Sequence, residues 1–308
     1  GKYDEQGRPC EDGEVYIPPV YSSENEAILA YQNKIAHEQD EMYLKRVVEL
    51  PEGVLVLTCG VDCQNDRLEY EVVGHGFYGE TWGIKKGICM GDPNTDAPWQ
   101  RLDDVIDHTY TFKDGKGLKL SITFVDSGGL RTQDVYTQCR ARLSKRVFAI
   151  KGQGGDGVPF TKPPTKIKQV VNGKMIGQLW LYSLGVDAGK ADVMNNIRVQ
   201  EPGPKYCHFP LDHARGYDSR YFEGLLSEKL VQKTTNGRTR WAWEKIAEHI
   251  RNEPLDCRVY ALAAFRVLDP DLEAVAARLR AATTGEQQPQ PQRQARPKVK
   301  KTTVQGYW

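Results

Sequence analysis

The sequence predicts an α/β protein with one mixed β-sheet, built in the chain order β-β-β-α-β-α-β and flanked by helices. Residues 54–61 form a continuous β-prone apolar run, which is typical of a strand buried on both faces. Two more strand patterns follow at 67–73 and 80–90, close enough in sequence to form an antiparallel meander. Helical spacing then alternates with two further strand patterns, so the fourth strand should lie parallel to the first and beside it.

Spacing and turn residues mark the other elements of the first half. Apolar residues at helical intervals predict a helix at 99–108. The apolar stretch 118–126 predicts the fourth strand, which stops at Ser127-Gly128-Gly129. Thr132 is a suitable N-cap for a helix that runs to about residue 143, and residues 146–151 predict the fifth strand.

The second half alternates between irregular and well-defined patterns. Glycine, lysine and proline dominate residues 152–171, which we interpret as a loop. Weaker patterns predict a strand at 179–186, a short helix at 190–196, and helical or mixed structure at 221–232 and 241–249. The clearest helix spans 254–268, because Pro254 suits a first turn and apolar residues recur along one face. A second helix should reach about residue 282.

Composition excludes several classes of protein. The 308 residues include 42 Lys+Arg and 41 Asp+Glu, and 39% are apolar, which suffices for a folded domain and excludes a chain disordered throughout. The sequence contains no run of 18 consecutive apolar residues, the length needed to span a membrane. Its first twenty residues lack a signal-peptide pattern. The seven cysteines contain no C-x-x-C pair, so we expect neither a disulfide scaffold nor a four-thiolate zinc site and interpret the protein as cytosolic.

The chain divides into three segments by composition. Residues 1–23 are polar and rich in turn residues, residues 24–48 have a pattern that predicts a helix, and we interpret the whole segment 1–48 as a connector to something upstream. Residues 49–282 hold the predicted sheet and its helices. Residues 283–308 should be a disordered basic tail, with five cations and one anion from Glu286 to the end. The remainder is nearly neutral, which argues against a broad DNA-coating surface and leaves a local groove open.

Two aspartates end two strands that the topology places side by side. Asp62 follows the first strand and Asp126 ends the fourth, so both carboxylates should emerge at one edge of the sheet. Like charges held close raise each other's pKa unless a cation neutralises them, and oxygen ligands suit a divalent metal. The alternative is that each aspartate merely begins a turn, a position that aspartate favours.

A third acid, Asp256, stands in the first turn of the clearest helix. The apolar residues around it indicate that this helix packs on the sheet, from where an acid could reach the edge that carries the other two. A purely structural role is the alternative, because a carboxylate in a first turn also interacts favourably with the helix dipole. Asn252 and Glu253 are nearby alternatives.

Other chemistry-bearing residues have weaker assignments. The basic, glycine-rich stretch from Lys151 to Lys168 could contact DNA flexibly beside the active edge. His208 and His213 lack a nearby acid pair and an H-E-x-x-H spacing, which favours a structural role. Asp187 and Asp192 are candidates for an additional acid of the site. Trp241 and Trp243 are interpreted as packing residues, in the core or between domains.

Five motifs follow one another in a recognisable order. They are Gly60-Val61-Asp62-Cys63-Gln64-Asn65-Asp66-Arg67-Leu68-Glu69, Val125-Asp126-Ser127-Gly128-Gly129, Ala149-Ile150-Lys151-Gly152, Cys207-His208-Phe209-Pro210 and Arg251-Asn252-Glu253-Pro254-Leu255-Asp256-Cys257. Together they resemble the C-terminal nuclease domain of the large terminase subunit of lambda-type tailed phages, over about residues 51–268. The resemblance implies an RNase H-like fold, whose strand order is the one derived above, and a metal-dependent endonuclease that cuts concatemeric viral DNA.

The resemblance also implies roles for individual residues. Asp62 and Asp126 match the strand-end metal ligands of the family, and Asp256 matches the acid of its C-terminal helix. Two Mg²⁺ or Mn²⁺ ions would share Asp62 and be completed by the other two acids, activating a water and stabilising the departing 3′ oxygen. Lys190 resembles a lysine position of the family that would contact a phosphate, the alternative being a solvated charge.

Partners and location are implied in the same way. They are double-stranded DNA, the small terminase subunit and the portal protein of the empty capsid, in the cytoplasm of the infected bacterial host. The portal would bind the tail that ends Gly306-Tyr307-Trp308, although this tail could instead be a solubilising extension. Two other functions stay open: an RNase H-like resolvase or transposase, and a non-catalytic module that bridges portal and DNA.

The packaging ATPase of full-length family members has no counterpart in the sequence. Its phosphate-binding motif, G-x-x-x-x-G-K-[ST], does not occur anywhere in the chain. We therefore expect that this chain by itself neither hydrolyses ATP nor translocates DNA.

Overall fold

The computed structural model describes residues 48–284, apart from positions 156, 236 and 237. The predicted connector lies outside these residues except for position 48, and the predicted tail lies outside them except for positions 283 and 284. The division of the chain into three segments therefore stays a prediction.

Strands and helices alternate along the described part. The strands are β1 (Val56–Cys63), β2 (Arg67–His75), β3 (Thr81–Met90), β4 (Tyr110–Thr111), β5 (Gly117–Leu118), β6 (Leu120–Asp126), β7 (Val147–Gln153), β8 (Thr165–Val171), β9 (Lys174–Gly185), β10 (Cys207–His208), β11 (Glu228–Thr235) and β12 (Arg238–Lys245). The helices are α1 (Ala97–Asp107), α2 (Thr132–Ala141), α3 (Val186–Ile197), α4 (Ser219–Leu225), α5 (Glu253–Leu268) and α6 (Leu272–Thr284). From Glu273 onward, α6 belongs to a separate compact unit.

Eight of the strands form one mixed sheet, in the order β10-β3-β2-β1-β6-β7-β9-β8. The first three strands are antiparallel neighbours, whereas β6 runs parallel to β1, β7 to β6 and β9 to β7. The predicted parallel pairing of the fourth strand pattern with the first is confirmed, and the five central strands have the RNase H-like order. Two antiparallel pairs lie outside this sheet, β4 with β5 and β11 with β12.

Two sequence predictions are wrong and a third is confirmed in part. Residues 152–171 are not one loop, because β7 continues to Gln153 and β8 begins at Thr165. The stretch 221–232 is mixed, as predicted, since it holds most of α4 and the start of β11, whereas 241–249 holds the end of β12 and no helix. Thr132 begins α2 instead of capping it, and its hydroxyl donates hydrogen bonds to the carbonyls of Ser127 and Gly129.

Helices cover both faces of the sheet. On one face, α1 and α2 contribute Trp99, Leu102 and Val135 to a core that also contains inward residues of β1 to β3. On the other face, α3, α4 and α5 contribute a second core. Its buried members from the helices include Val193, Tyr221, Leu225, Leu255 and Val259. The predicted arrangement of a sheet flanked by helices is confirmed.

Helix α5 lies directly against β1 because position 60 carries no side chain. A Cβ added to Gly60 would lie 2.0 Å from the carbonyl oxygen of Cys257 and 2.6 Å from the backbone nitrogen of Ala261. The hydroxyl of Thr58, two residues earlier on the strand, donates a hydrogen bond to the Ala261 carbonyl at 2.8 Å. Backbone contact therefore fixes the height and position of the helix over the strand.

A buried polar cluster fixes α5 against β2 as well. Glu71 is fully buried, and one of its carboxylate oxygens is contacted by Arg258 Nη2 at 2.5 Å. The hydroxyls of Tyr221 and Tyr217 donate to the same oxygen at 2.8 Å and 3.0 Å. A buried charge pair that loses one partner leaves the other uncompensated, so this cluster strongly favours a single orientation of the helix.

Gly60→Ala should destabilise the protein by about 1–3 kcal/mol, because the new methyl group would force α5 away from β1. The measurement is urea unfolding followed by tryptophan fluorescence. Gly129→Ala is a matched control, since a Cβ at Gly129 meets no atom within 4 Å. Equal stability of the two variants would contradict the proposed role of the close contact.

Candidate active site

Asp62 and Asp126 lie side by side at one edge of the sheet. The valines that precede them pair in parallel register between β1 and β6, so both aspartates emerge at the same level. Asp62 is only 6% exposed, and Asp126 is partly buried. The side-chain amide of Gln64 donates a hydrogen bond to Asp62, and the backbone N–H of Gly128 donates to Asp126 at 3.1 Å.

Asp256 reaches the same edge from the first turn of α5. It precedes Cys257, the residue whose carbonyl faces Gly60 of β1. Burial raises the pKa of Asp256 to about 7, and the negative charges of Asp62 and Asp126 add to the rise. The three carboxylates thus come from three separate elements and lie close enough to repel one another.

The other two acids are destabilised in their charged forms for the same reason. Burial raises the pKa of Asp62 to about 7 against the lowering effect of its hydrogen bond from Gln64, and the charge of Asp126 raises it further. Burial also raises the pKa of Asp126, while the N–H groups of Gly128 and Ser127 lower it. The exposed Lys151, near the end of β7, lowers the pKa of Asp126 through its positive charge.

Neighbouring glutamates differ from these aspartates in having cationic partners. Glu69 of β2 pairs with Lys86 and with Arg67, each at 2.8 Å. Glu253, one alternative for the third acid, lies 3.4 Å from Arg67 and repels Asp62 together with Glu69. Among the described residues, neither Asp62 nor Asp126 forms an ion pair.

Asp256 borders a buried ion pair. Lys190 Nζ of α3 lies 2.7 Å and 2.9 Å from the two carboxylate oxygens of Glu228 on β11, and both residues are 9% exposed. The same Nζ lies 3.9 Å from Asp256. The side-chain amide of Asn252, another alternative for the third position, donates to Glu228 at 3.1 Å and to Asp256 at 2.9 Å.

This network corrects one interpretation and adds a residue. Lys190 is not a solvated charge, because its ammonium group is buried against Glu228. Its predicted contact with a phosphate stays a prediction. Glu228 was not predicted from the sequence, because it stands at the start of a hairpin and belongs to none of the five motifs.

The donor chemistry of the three aspartates fits a divalent cation. They offer carboxylate oxygens that repel one another, and two of them lack a protein cation. Their oxygens are not gathered around one point, since no three His, Cys, Asp or Glu side chains among the described residues are arranged to hold a metal ion. Their roles as ligands and catalytic residues therefore stay predictions.

The remaining candidates are engaged elsewhere. His208 contacts Glu80 at 2.7 Å and stacks on Trp82, in agreement with a structural role. His213 begins a short 3₁₀ turn. Trp241 is 51% exposed, so the interpretation as core packing is wrong for this residue. The carboxylate of Asp187 accepts a hydrogen bond from the N–H of Gly155, and the carboxylate of Asp192 accepts one from Arg266. The indole N–H of Trp243 donates to the carbonyl of Asp187.

The mixed sheet, its strand order and its acid-bearing edge define an α/β protein of the RNase H-like class. Residues 17–278 match the family described as terminase large subunit gpA, endonuclease domain. The chain belongs to this family, and the resemblance carried by the five motifs is confirmed.

Two curated relatives show how much of a terminase the chain represents. It is 33% identical over 238 residues to the large terminase subunit of Escherichia phage lambda, which covers 76% of this chain and 35% of that protein. It is 30% identical over 230 residues to the large terminase subunit of Enterobacteria phage P21, with coverages of 71% and 33%. The chain thus spans about a third of the length of these relatives.

A solved structure is also similar to the chain. It is the large terminase of a thermophilic bacteriophage, with 13% identity and a TM-score of 0.38 over 72% of this chain and 42% of that one.

Asp62→Asn should stabilise the metal-free protein at pH 8 by about 1–3 kcal/mol and change its stability little at pH 4. The pKa of Asp62 rises on folding from 3.8 to about 7, so the folded state retains a proton that the unfolded state loses. Stability from this group is complete below pH 4 and is lost as the pH rises through 7. Urea unfolding in EDTA at both pH values tests this, and equal effects at pH 4 and pH 8 would contradict it.

Lys190→Met should lower the free energy of unfolding by about 3–5 kcal/mol, because Glu228 would keep a buried charge without its cation. Combining it with Glu228→Gln removes both charges and should recover most of the loss. Urea unfolding of the two single variants and the double variant measures the coupling. A double variant as unstable as the sum of the single variants would show that the pair is not coupled.

Proposed function

We propose that this chain is the endonuclease domain of a viral DNA-packaging terminase, which cuts concatemeric double-stranded DNA by metal-dependent phosphodiester hydrolysis. Membership of the terminase endonuclease family supports the class of reaction. The observation that carries the proposal is the convergence of Asp62, Asp126 and Asp256 at one sheet edge. Two of these acids lack a cationic partner there, whereas the neighbouring glutamates have one.

In this proposal the three aspartates would hold two divalent ions, Mg²⁺ or Mn²⁺. When bound, such ions supply a water of lowered pKa and positive charge that offsets the charge developing on phosphorus. Because carboxylates and ions supply this chemistry, no protein nucleophile is needed.

The surrounding residues have supporting roles in the proposal. Asn252 holds the Asp256 carboxylate through its hydrogen bond, and Gly128 holds Asp126 through its backbone N–H. Lys151, exposed and close enough to Asp126 to lower its pKa, would bind a phosphate next to the scissile bond. Lys190 could contact a DNA phosphate only by breaking its ion pair with Glu228. We therefore propose that Lys190 positions the Asp256 side chain instead.

The partners of the whole terminase belong to the proposal as well. They are double-stranded DNA, the small terminase subunit and, through the basic C-terminal residues, the portal protein. The reaction would take place in the cytoplasm of the infected bacterial host. In residues 48–284, no helix is both long enough and apolar enough to cross a lipid bilayer.

Asp62→Asn and Asp126→Asn should each reduce Mn²⁺-dependent cleavage of linear double-stranded DNA by at least about 10³-fold while the protein stays folded. The measurement is gel-resolved cleavage, with circular dichroism to verify the fold. Asp104→Asn is the matched control, because Asp104 is exposed on α1. Wild-type cleavage by both site variants would show that the acids are misassigned.

The same assay distinguishes the alternative functions when the DNA substrate is varied. A strong preference for four-way junctions over linear and supercoiled DNA would favour a resolvase-type nuclease. DNA binding by the folded wild-type protein without Mn²⁺- or Mg²⁺-dependent cutting would favour a non-catalytic module.

A further inference from the structure

The outer end of the sheet carries an exposed basic surface, formed by Lys166 and Lys168 of β8 and by Gln178 and Trp180 of β9. Lys166 pairs with Trp180 and Lys168 with Gln178 in the antiparallel register, so the four side chains share one face. All four are exposed, and Trp180 is 42% exposed. The Lys166 ammonium lies 5.9 Å from the centre of the Trp180 ring. We call this set the β8–β9 surface.

The opposite face of β8 is packed, so the exposure is one-sided. Gln169 is fully buried and donates hydrogen bonds to the Gln133 carbonyl and to the Thr137 hydroxyl of α2. Ile167 packs against the core on that side. One face of β8 therefore packs against α2 and the core, while the lysines on its other face point to solvent.

The segment that builds the β8–β9 surface is strongly biased in charge. Residues 157–186 contain four lysines and no aspartate or glutamate. The whole chain, in contrast, has nearly equal numbers of acids and bases. An exposed tryptophan within an uncompensated basic surface fits a polyanion that also offers flat or apolar groups, which is the chemistry of nucleic acid.

The β8–β9 surface lies on the same face of the sheet as the acids. Asp126 pairs with Ile150 of β7, and Ile150 pairs with Tyr182 of β9, so these residues are level across the sheet. Trp180 lies two residues before Tyr182, which places it on the same face and about 7 Å back toward the N-terminal end of β9. Lys166 of β8 lies three strand spacings from β6, about 14 Å.

We propose that the β8–β9 surface binds the backbone of duplex DNA to one side of the cut, with the two lysines on phosphates and Trp180 against the sugars. This proposal rests on the proposed nuclease function. A separation of about 15 Å corresponds to four or five base-pair steps at about 3.4 Å each. The surface therefore binds the same duplex that the acids cut, within half a helical turn of the scissile bond.

A second copy of the chain is the competing occupant of this edge, because β8 is the last strand of the sheet. Two copies that met through the β8–β9 surface would place lysines against lysines. Charge complementarity therefore favours DNA.

The test measures binding of the whole chain to a fluorescein-labelled 20-base-pair duplex by anisotropy in EDTA, at NaCl concentrations from 50 to 200 mM. Lys166→Glu/Lys168→Glu should weaken binding at least about tenfold and reduce the slope of log K against log salt by about 1.8, as expected for two lost phosphate contacts. Trp180→Ala should weaken binding severalfold with an unchanged slope, since it removes no charge. Circular dichroism verifies that each variant is folded.

The matched control is Lys85→Glu/Lys119→Glu, which makes the same change of charge at exposed positions away from this edge. Binding as tight as wild type by Lys166→Glu/Lys168→Glu, or equal weakening by the control, overturns the proposal. So does sedimentation showing that the β8 substitutions dissociate a dimer without affecting DNA affinity. If those variants bind normally while Asp62→Asn still abolishes cutting, the surface is wrong and the nuclease proposal stands. A wild-type chain that neither binds nor cuts DNA overturns both.

Discussion

The contact between α5 and β1 is the constraint on which the acid-bearing edge depends. Gly60 allows the backbone of the helix to approach the strand more closely than any side chain would permit. Thr58 bonds to the next turn of the helix, and the buried Glu71 holds it from β2. Asp256 lies within two turns of each of these contacts. Its position beside Asp62 is therefore set by the backbone and by buried polar contacts.

The buried glutamates near the acid-bearing edge are paired with cations, whereas two of its aspartates are not. Buried carboxylates are costly unless paired, and the structure pairs Glu69, Glu71 and Glu228 with lysine or arginine. Asp62 and Asp126 receive only hydrogen bonds from neutral donors. The repulsion that remains makes the protein alone less stable at neutral and alkaline pH. In the proposed nuclease, that same uncompensated charge would attract a divalent cation to the edge.

The sequence predicted the parts of the molecule that local pattern and chain topology control. The buried apolar strand and the β-β-β-α order were sufficient to place Asp62 beside Asp126, and the apolar surroundings of Asp256 indicated a helix packed on the sheet. Strand β8 was missed because its lysines alternate with Ile167 and Gln169, and glycine and proline nearby suggested a loop. Glu228 could not be found in this way, because its partners Lys190 and Asn252 are 38 and 24 residues away. Only the folded chain shows that these three side chains meet.

The buried cluster of Glu71, Tyr217 and Tyr221 holds α5 against β2 through the side chain of Arg258. It fixes the helix through contacts that involve no ligand, so the frame of the candidate centre is complete in the bare polypeptide. If the three aspartates hold ions as proposed, loading and unloading an ion would require adjustment of their side chains, not refolding of the chain. Occupancy of the proposed centre would then follow the supply of free cations in its surroundings, while the architecture itself stayed unchanged.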